Sequence, residues 1–331
     1  MTIDRYLDKT AIDWDSLVTL ADSYLVPTAF GVGLLKHPRS NEAPEELLGF
    51  LKALIDSNRK RNNDLILQYK KLEAWLGAEN ILPMKGIALL LNGAYQDHAV
   101  RILSDIDILV PSDKLYHFAN LLKDQGYSID SEAESEYLAN PVHHHYPGLI
   151  HSSFPSGVEL HSQVTSPAGN QFLHAEELWA PTKTPSSSKD SITHLYLHTL
   201  THGYLNDLSF CKSALDLRHS LDLAVLDNVF ENKIDYDFIE QRLSSYGYKD
   251  FLALHSSLNH ILFSSIEENH DREIKIKAEN YFRRATLIDK LKCNAPKLYF
   301  FLVSLLSNYC KVTRLFLVPF KAYRLKYLPR R

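Results

Sequence analysis

Cysteine is scarce in this chain of 331 residues: there are three, Cys211, Cys293 and Cys310, with no CxxC pair. A disulfide framework and a cysteine zinc site are therefore excluded. No GxGxxG, GxSxG or Walker loop occurs, which removes dinucleotide enzymes, serine hydrolases and P-loop ATPases. There is no internal repeat. The first residues, MTIDRYLDKTAIDWD, lack the basic start and apolar core of a secretory signal, so a cytoplasmic protein is expected. The apolar run LYFFLVSLLSNYC near the C-terminus has 13 residues. A bilayer span needs roughly 20. With 45% apolar and 23% charged residues, chain-wide disorder and low-complexity architectures are excluded as well.

Acidic residues are missing from one end altogether. None follows Asp289, whereas ten basic residues do, from Lys290 to Arg331. Residues 1–289 hold 26 basic and 40 acidic side chains, a balance of −14. An acidic body is a poor non-specific nucleic-acid binder, because phosphate contacts need clustered cations. The segment 298–331 mixes Lys and Arg with large apolar side chains and is kinked by Pro319. It suits either the surface of an anionic membrane, at the inner face of the cell membrane, or a closing helix packed on the acidic body.

The length fits more than one domain. Residues 1–80 read as a helical lobe, with apolar spacings of three and four over 14–26 and 47–76, Pro44 at a helix start and Gly77 near a helix end. From 81 to 180 short β-like runs (81–84, 105–110, 127–130, 142–151, 158–164) alternate with helical patterns at 87–95 and 112–125, predicting a small mixed α/β core. After a polar stretch, 181–190, the rest to 331 is helical, over 191–206, 210–226, 235–245, 249–265 and from about 270. The expected fold class is α+β.

The chemistry concentrates at Lys85-Gly86, Arg101 and Ser104-Asp105-Ile106-Asp107-Ile108-Leu109-Val110. In a strand, alternate residues share a face, so Asp105 and Asp107 point one way and Ile106, Ile108 and Val110 the other. Two carboxylates about 7 Å apart along a strand repel unless a cation sits between them. A solvent-facing strand edge also carries such pairs. A third acid shifts the balance: in Val158-Glu159-Leu160-His161, Glu159 and His161 share the face opposite Val158 and Leu160. A neighbouring strand would bring Glu159 beside the aspartates. Three carboxylates suffice for two hard cations about 4 Å apart, the arrangement for phosphoryl or nucleotidyl transfer.

The pattern K-G-x-A-L…Y…R-x-x-x-D-I-D-I-L-V, followed by E-L-H, resembles the uncharacterised nucleotidyltransferase family related to DNA polymerase beta and the aminoglycoside nucleotidyltransferases, most strongly over residues 81–164. The wider superfamily carries Gly-Ser where Ile87 here follows Gly86. The resemblance implies a minimal nucleotidyltransferase sheet with helical additions, Mg²⁺ dependence with two metals, and transfer of a nucleoside monophosphate from a nucleoside triphosphate. It further implies Asp105, Asp107 and Glu159 as metal ligands and catalytic carboxylates. Lys85 and Gly86 would form the phosphate loop, Arg101 a phosphate-side cation and Ser104 a helper at the strand entrance. The acceptor is not implied; the acidic body favours a small molecule or sugar, such as a surface-polysaccharide precursor. Two other readings are an RNA- or protein-modifying nucleotidyltransferase of toxin type and a non-catalytic nucleotide-binding module.

Histidines crowd the same region: His143, His144, His145, His151 and His161. Without an HExxH spacing they fit a polar strand beside a cleft better than a zinc hydrolase, and His161, on the Glu159 face, is the one kept as a nucleotide-binding candidate. His194, His198 and His202 form a helical stripe that reads as packing, with lining of the acceptor side of the cleft as the alternative, and Asp216 reads as a helix-packing hydrogen bond. Cys211 reads as core.

Overall fold

The computed structural model describes residues 12–140, 145–165, 170–179, 188–206, 216–248, 251–263, and 276, 279 and 280. The segments 142–144, 181–187, 210–215 and 298–331, with His143, His144 and all three cysteines, lie outside the described residues. The chain divides into two compact units, Thr2–Thr199 with Leu217–Ile234, and Leu200–Asp216 with Asp235–Arg331.

The first unit opens with α1 (Trp14–Ser23), whose N-terminal amides are capped by Asp13 accepting from Ser16 N at 3.0 Å. Helix α2 (Pro27–Lys36) starts on a proline, which needs no donor there. The long helix α3 (Glu45–Leu76) follows Pro44, with Glu45 and Glu46 in its first turn facing the positive end of the helix dipole. It stops at Gly77, which adopts φ +84°; a Cβ there would lie 2.6 Å from Asn80 Nδ2. Along α3, Leu51, Leu65 and Leu72 are fully buried, a contribution of about 1.5–3 kcal/mol each.

The same helix also carries a polar stripe that the apolar spacing did not foretell. Asn58 Nδ2 donates to the carbonyls of Ala99 and Arg101 at 2.8 and 3.1 Å, and Asn62 Nδ2 to those of His98 and Arg101 at 2.6 and 2.7 Å. Arg59 pairs with Asp97 through two 3.0 Å bonds, and Arg61 donates to the carbonyls of Leu103 and Ser104. Asn58, Asn62 and Arg61 thus satisfy carbonyls of loop 97–104, which could otherwise not be buried against a helix, while Arg59 holds the loop by its Asp97 carboxylate.

A three-stranded sheet has the order β1 (Leu82–Pro83), β2 (Ile106–Leu109), β3 (Val158–His161). β1 runs antiparallel to β2, pairing Leu82 with Leu109. β3 runs parallel to β2, a pairing that needs a long crossover. The crossover contains α5 (Leu115–Asp124) and α6 (Ser131–Ala139). The runs expected as strands at 127–130 and 142–151 contribute isolated bridges, Ser128 with Ile150, Leu149 with Val158 and His145 with His161. Helix α4 (Lys85–Leu91) sits between β1 and loop 97–104, shorter at its C-terminus than the 87–95 pattern. All four residues of β2 are buried, so this central strand is covered on both faces and Asp107 does not stand on a solvent-facing edge.

Beyond the sheet lie α7 (Ala175–Trp179) and α8 (Ser188–Thr201), then a π-helical turn at His202–Asn206. Next come α9 (Leu217–Phe230), α10 (Tyr236–Ser245) and α11 (Phe251–Phe263). Among the described residues no helix is long and apolar enough to cross a membrane. Together these elements make the α+β architecture expected, helical at both ends around a small mixed sheet.

A buried ion pair ties α9 to loop 97–104. Arg101 Nε donates to both oxygens of Asp222, at 2.8 and 3.0 Å, and Tyr95 Oη donates to Asp222 Oδ1 at 2.6 Å. Arg101 is 5% exposed and Asp222 1%. Removing one partner leaves a bare buried charge, whereas replacing all three groups by apolar ones does not. Arg101→Met is expected to destabilise the protein by about 3–5 kcal/mol, and the triple variant Arg101→Met/Asp222→Leu/Tyr95→Phe to recover most of that loss. Urea unfolding of both variants is the check; equal losses in the two would refute the structural assignment.

Candidate active site

Chain reversal between β1 and α4 places the first charged group. Met84 N donates to the carbonyl of Asp107 at 3.0 Å, holding the end of β1 against β2. Lys85 then takes φ +50°, a conformation that bulky residues rarely adopt, and opens α4. Its Nζ reaches Asp107 Oδ1 at 2.6 Å. Gly86 is buried next to loop 97–104, where a Cβ would stand 3.0 Å from Leu103 Cγ. The close approach that glycine permits here is that of the loop leading into Asp105.

The parallel register of β2 and β3 sets Asp107 beside Glu159. His161, two residues further along β3 and on the same face, directs Nε2 to Asp107 Oδ1 at 2.8 Å and lies 3.4 Å from Glu159 Oε2. Asp107 is 3% exposed and His161 fully buried, while Glu159 stands half-buried at the rim. One ligand atom from each of Asp107, Glu159 and His161 lies within 4.8 Å of the others, a set able to hold a metal ion. His145 adds a second imidazole, its ring 5.1 Å from that of His161 and its Nδ1 4.0 Å from Glu159 Oε2.

Burial raises the proton affinity of Asp107, but the hydrogen bond from His161 and the charge of Lys85 outweigh it and hold the carboxyl well below the usual range. Burial likewise lowers Lys85, and the charge and hydrogen bond of Asp107 more than reverse it, so the ammonium persists above its ordinary range. Asp105 goes the other way: burial, then the charge of Asp107, push it up, with the Ser104 hydrogen bond opposing. Two neighbouring carboxyls are thus driven apart in acidity, as in sites with divided roles.

Of the residues singled out from the sequence, Lys85, Asp107, Glu159 and His161 are brought into one cluster. Asp105 stands half-buried at the entrance to β2, outside the three-donor set, where Ser104 Oγ donates to its Oδ1 at 2.8 Å. Ser104 itself is exposed, and its carbonyl accepts from Ser156 Oγ at 2.6 Å. Arg101, expected on the phosphate side, directs its Nε to the carboxylate of Asp222.

Two further groups approach the cluster, and of these only Arg61 escapes sequence reasoning. His198 on α8, read as packing, is 2% exposed and close enough to Lys85, Asp107 and His161 to feel their charges. Burial foremost, then the Lys85 cation, lower it to about 3. Arg61 of α3 lies within electrostatic reach of Asp105. Nothing local marks Arg61, and the histidine stripe that marks His198 does not report which strand its helix face meets.

A family model described as an uncharacterised nucleotidyltransferase matches residues 10–264. No curated protein and no solved structure gives a significant match.

The depressed His198 has a consequence for stability. Its ordinary value is about 6.5 in an unfolded chain. Between that pH and about 3 the unfolded chain binds a proton that the folded one refuses, so stability falls as pH falls through this window. The residue's share is about 1.4 kcal/mol per pH unit. Urea midpoints at pH 7, 6 and 5 should drop more steeply for the wild type than for His198→Leu. Parallel slopes would show that His198 is protonated normally in the fold.

Proposed function

The chain belongs to the uncharacterised nucleotidyltransferase family, and on that footing we propose that it transfers a nucleoside monophosphate from a nucleoside triphosphate to an acceptor hydroxyl, with release of pyrophosphate. The observation that carries this reading is the pairing of Asp107 with Glu159 across parallel strands, with the Lys85 ammonium folded onto them. Acids and a lysine ammonium in one partly buried cluster match what a triphosphate with a divalent ion requires.

The acceptor oxygen forms a bond to the α-phosphorus, the bond to the bridging oxygen breaks, and that oxygen leaves with pyrophosphate. Asp105, with its raised proton affinity, and the rim carboxylate Glu159 are the groups suited to receive the acceptor's proton. Asp107, Glu159 and His161 would hold a divalent cation, Mg²⁺ on the carboxylate pattern alone, and that cation supplies charge stabilisation at the phosphoryl oxygens. Lys85 changes partner, from Asp107 to a triphosphate oxygen, when the nucleotide arrives. A body with a balance of −14 repels a polyanionic acceptor, which favours a small molecule or sugar, and a membrane-borne sugar precursor would suit the basic apolar segment 298–331.

One observation supports a second reading, a nucleotide-binding module without turnover. Lys85 and His161 already converge on one oxygen of Asp107, so that carboxylate is satisfied with no cation added.

Pyrophosphate release from each of the four ribonucleoside triphosphates, with divalent metal and a cell extract as acceptor pool, separates the two. The catalytic reading expects release that falls at least about a hundredfold in Asp105→Ala/Asp107→Ala and stops with chelator. Nucleotide binding without release, unchanged in Asp107→Ala, would establish the binding module instead.

A further inference from the structure

The three donors within 4.8 Å include an imidazole, and this departs from the all-carboxylate pattern that points to Mg²⁺. His161 cannot be treated as incidental. It is fully buried, its Nε2 is 2.8 Å from Asp107 Oδ1 and 3.4 Å from Glu159 Oε2, and the His145 ring packs 5.1 Å away. Metal–ligand bonds of about 2.1 Å put adjacent donors about 3.0 Å apart in octahedral geometry and about 3.4 Å in tetrahedral geometry. The separations of 2.8 and 3.4 Å lie within about 0.2 Å of one or other of those values, so Nε2 needs little movement to become a ligand once the proton it donates to Asp107 has passed to Nδ1. The Lys85 ammonium, 2.6 Å from the same Asp107 oxygen, shows independently that this spot attracts a cation.

Resting on the reading of this cleft as the nucleotidyl-transfer site, we propose that its ion is Mn²⁺ in preference to Mg²⁺, with His161 Nε2 as a ligand beside Asp107 and Glu159. Mg²⁺ is hard, takes oxygen donors and keeps its waters, so a fixed imidazole nitrogen in the donor set is a handicap to it. Mn²⁺ suits carboxylates as Mg²⁺ does, and stands at the foot of the transition-metal affinity order for mixed nitrogen and oxygen sites, an order to which Mg²⁺ does not belong. Its six-coordinate shell leaves positions for phosphate oxygens.

The test uses the full chain with Mn²⁺ alone, and with Mn²⁺ plus inorganic tripolyphosphate, which supplies the phosphate charge without a nucleobase nitrogen. Bound Mn²⁺ is counted by electron paramagnetic resonance, and pulsed measurements on the wild type look for ¹⁴N coupling from an imidazole. We expect ¹⁴N coupling, and Mg²⁺ to displace Mn²⁺ only at about tenfold or greater excess. His161→Asp should abolish the coupling and bring the two ions to near parity. Displacement at parity in the wild type, bound Mn²⁺ without ¹⁴N coupling, or no bound Mn²⁺ in either condition overturns the proposal, whether or not the variant folds. Nitrogen-coupled Mn²⁺ in a protein that releases no pyrophosphate would uphold the ion assignment while sinking the transfer reading. Turnover with Mg²⁺ displacing Mn²⁺ at parity would do the reverse.

Discussion

A carboxylate held almost wholly out of solvent is the constraint around which the sheet is arranged. Asp107 sits mid-strand on a strand covered on both faces and is 3% exposed. Left bare, such a charge would take up a proton or unfold its surroundings. Its partners come from both neighbours in the sheet: Lys85 from the reversal after β1, at the expense of a left-handed backbone, and His161 from the parallel strand β3. Each of these features has little reason to exist without the charge it answers. Two residues away, burial first and then this same charge push the Asp105 carboxyl up.

The site depends as much on a helix that contributes no donor to the metal-binding set. Loop 97–104 must deliver Asp105 and β2 at a fixed height, yet its carbonyls face the protein. Asn58, Asn62 and Arg61 on α3 accept that geometry by donating to them, Arg59 anchors Asp97, and the Arg101–Asp222 pair pins the other side. Gly86 lets α4 close onto Leu103 from below the loop. A helix legible as an apolar lobe is, in its polar stripe, the frame of the strand that carries the acids.

Nitrogen donors distinguish this cleft from a purely carboxylate one. His161 lies within the donor set, His145 packs on it, and His198, held neutral by burial and the nearby cation, comes up from α8. Three imidazoles beside two carboxylates add nitrogen donors and hydrogen-bonding groups without adding further negative charge.

What the sequence determined by itself is local and periodic. The helices from 14 to 76, the strand that carries Asp107, the Glu159–His161 alternation and the break at Gly77 all follow from spacings of two, three and four and from φ preferences, which act between near neighbours. The pairing of Asp107 with Glu159 was foreseeable as a possibility, because both stand on strands with matching faces. Only the tertiary structure decided the rest: that the aspartate strand is covered on both sides, that Lys85 turns onto Asp107, that Arg101 meets Asp222, and that His198 reaches the cleft. Those contacts join residues 22, 121 and 54 positions apart, as in Lys85–Asp107, Arg101–Asp222 and Asp107–His161. Register between strands and the meeting of helix faces are fixed by collective burial, and no local spacing encodes them.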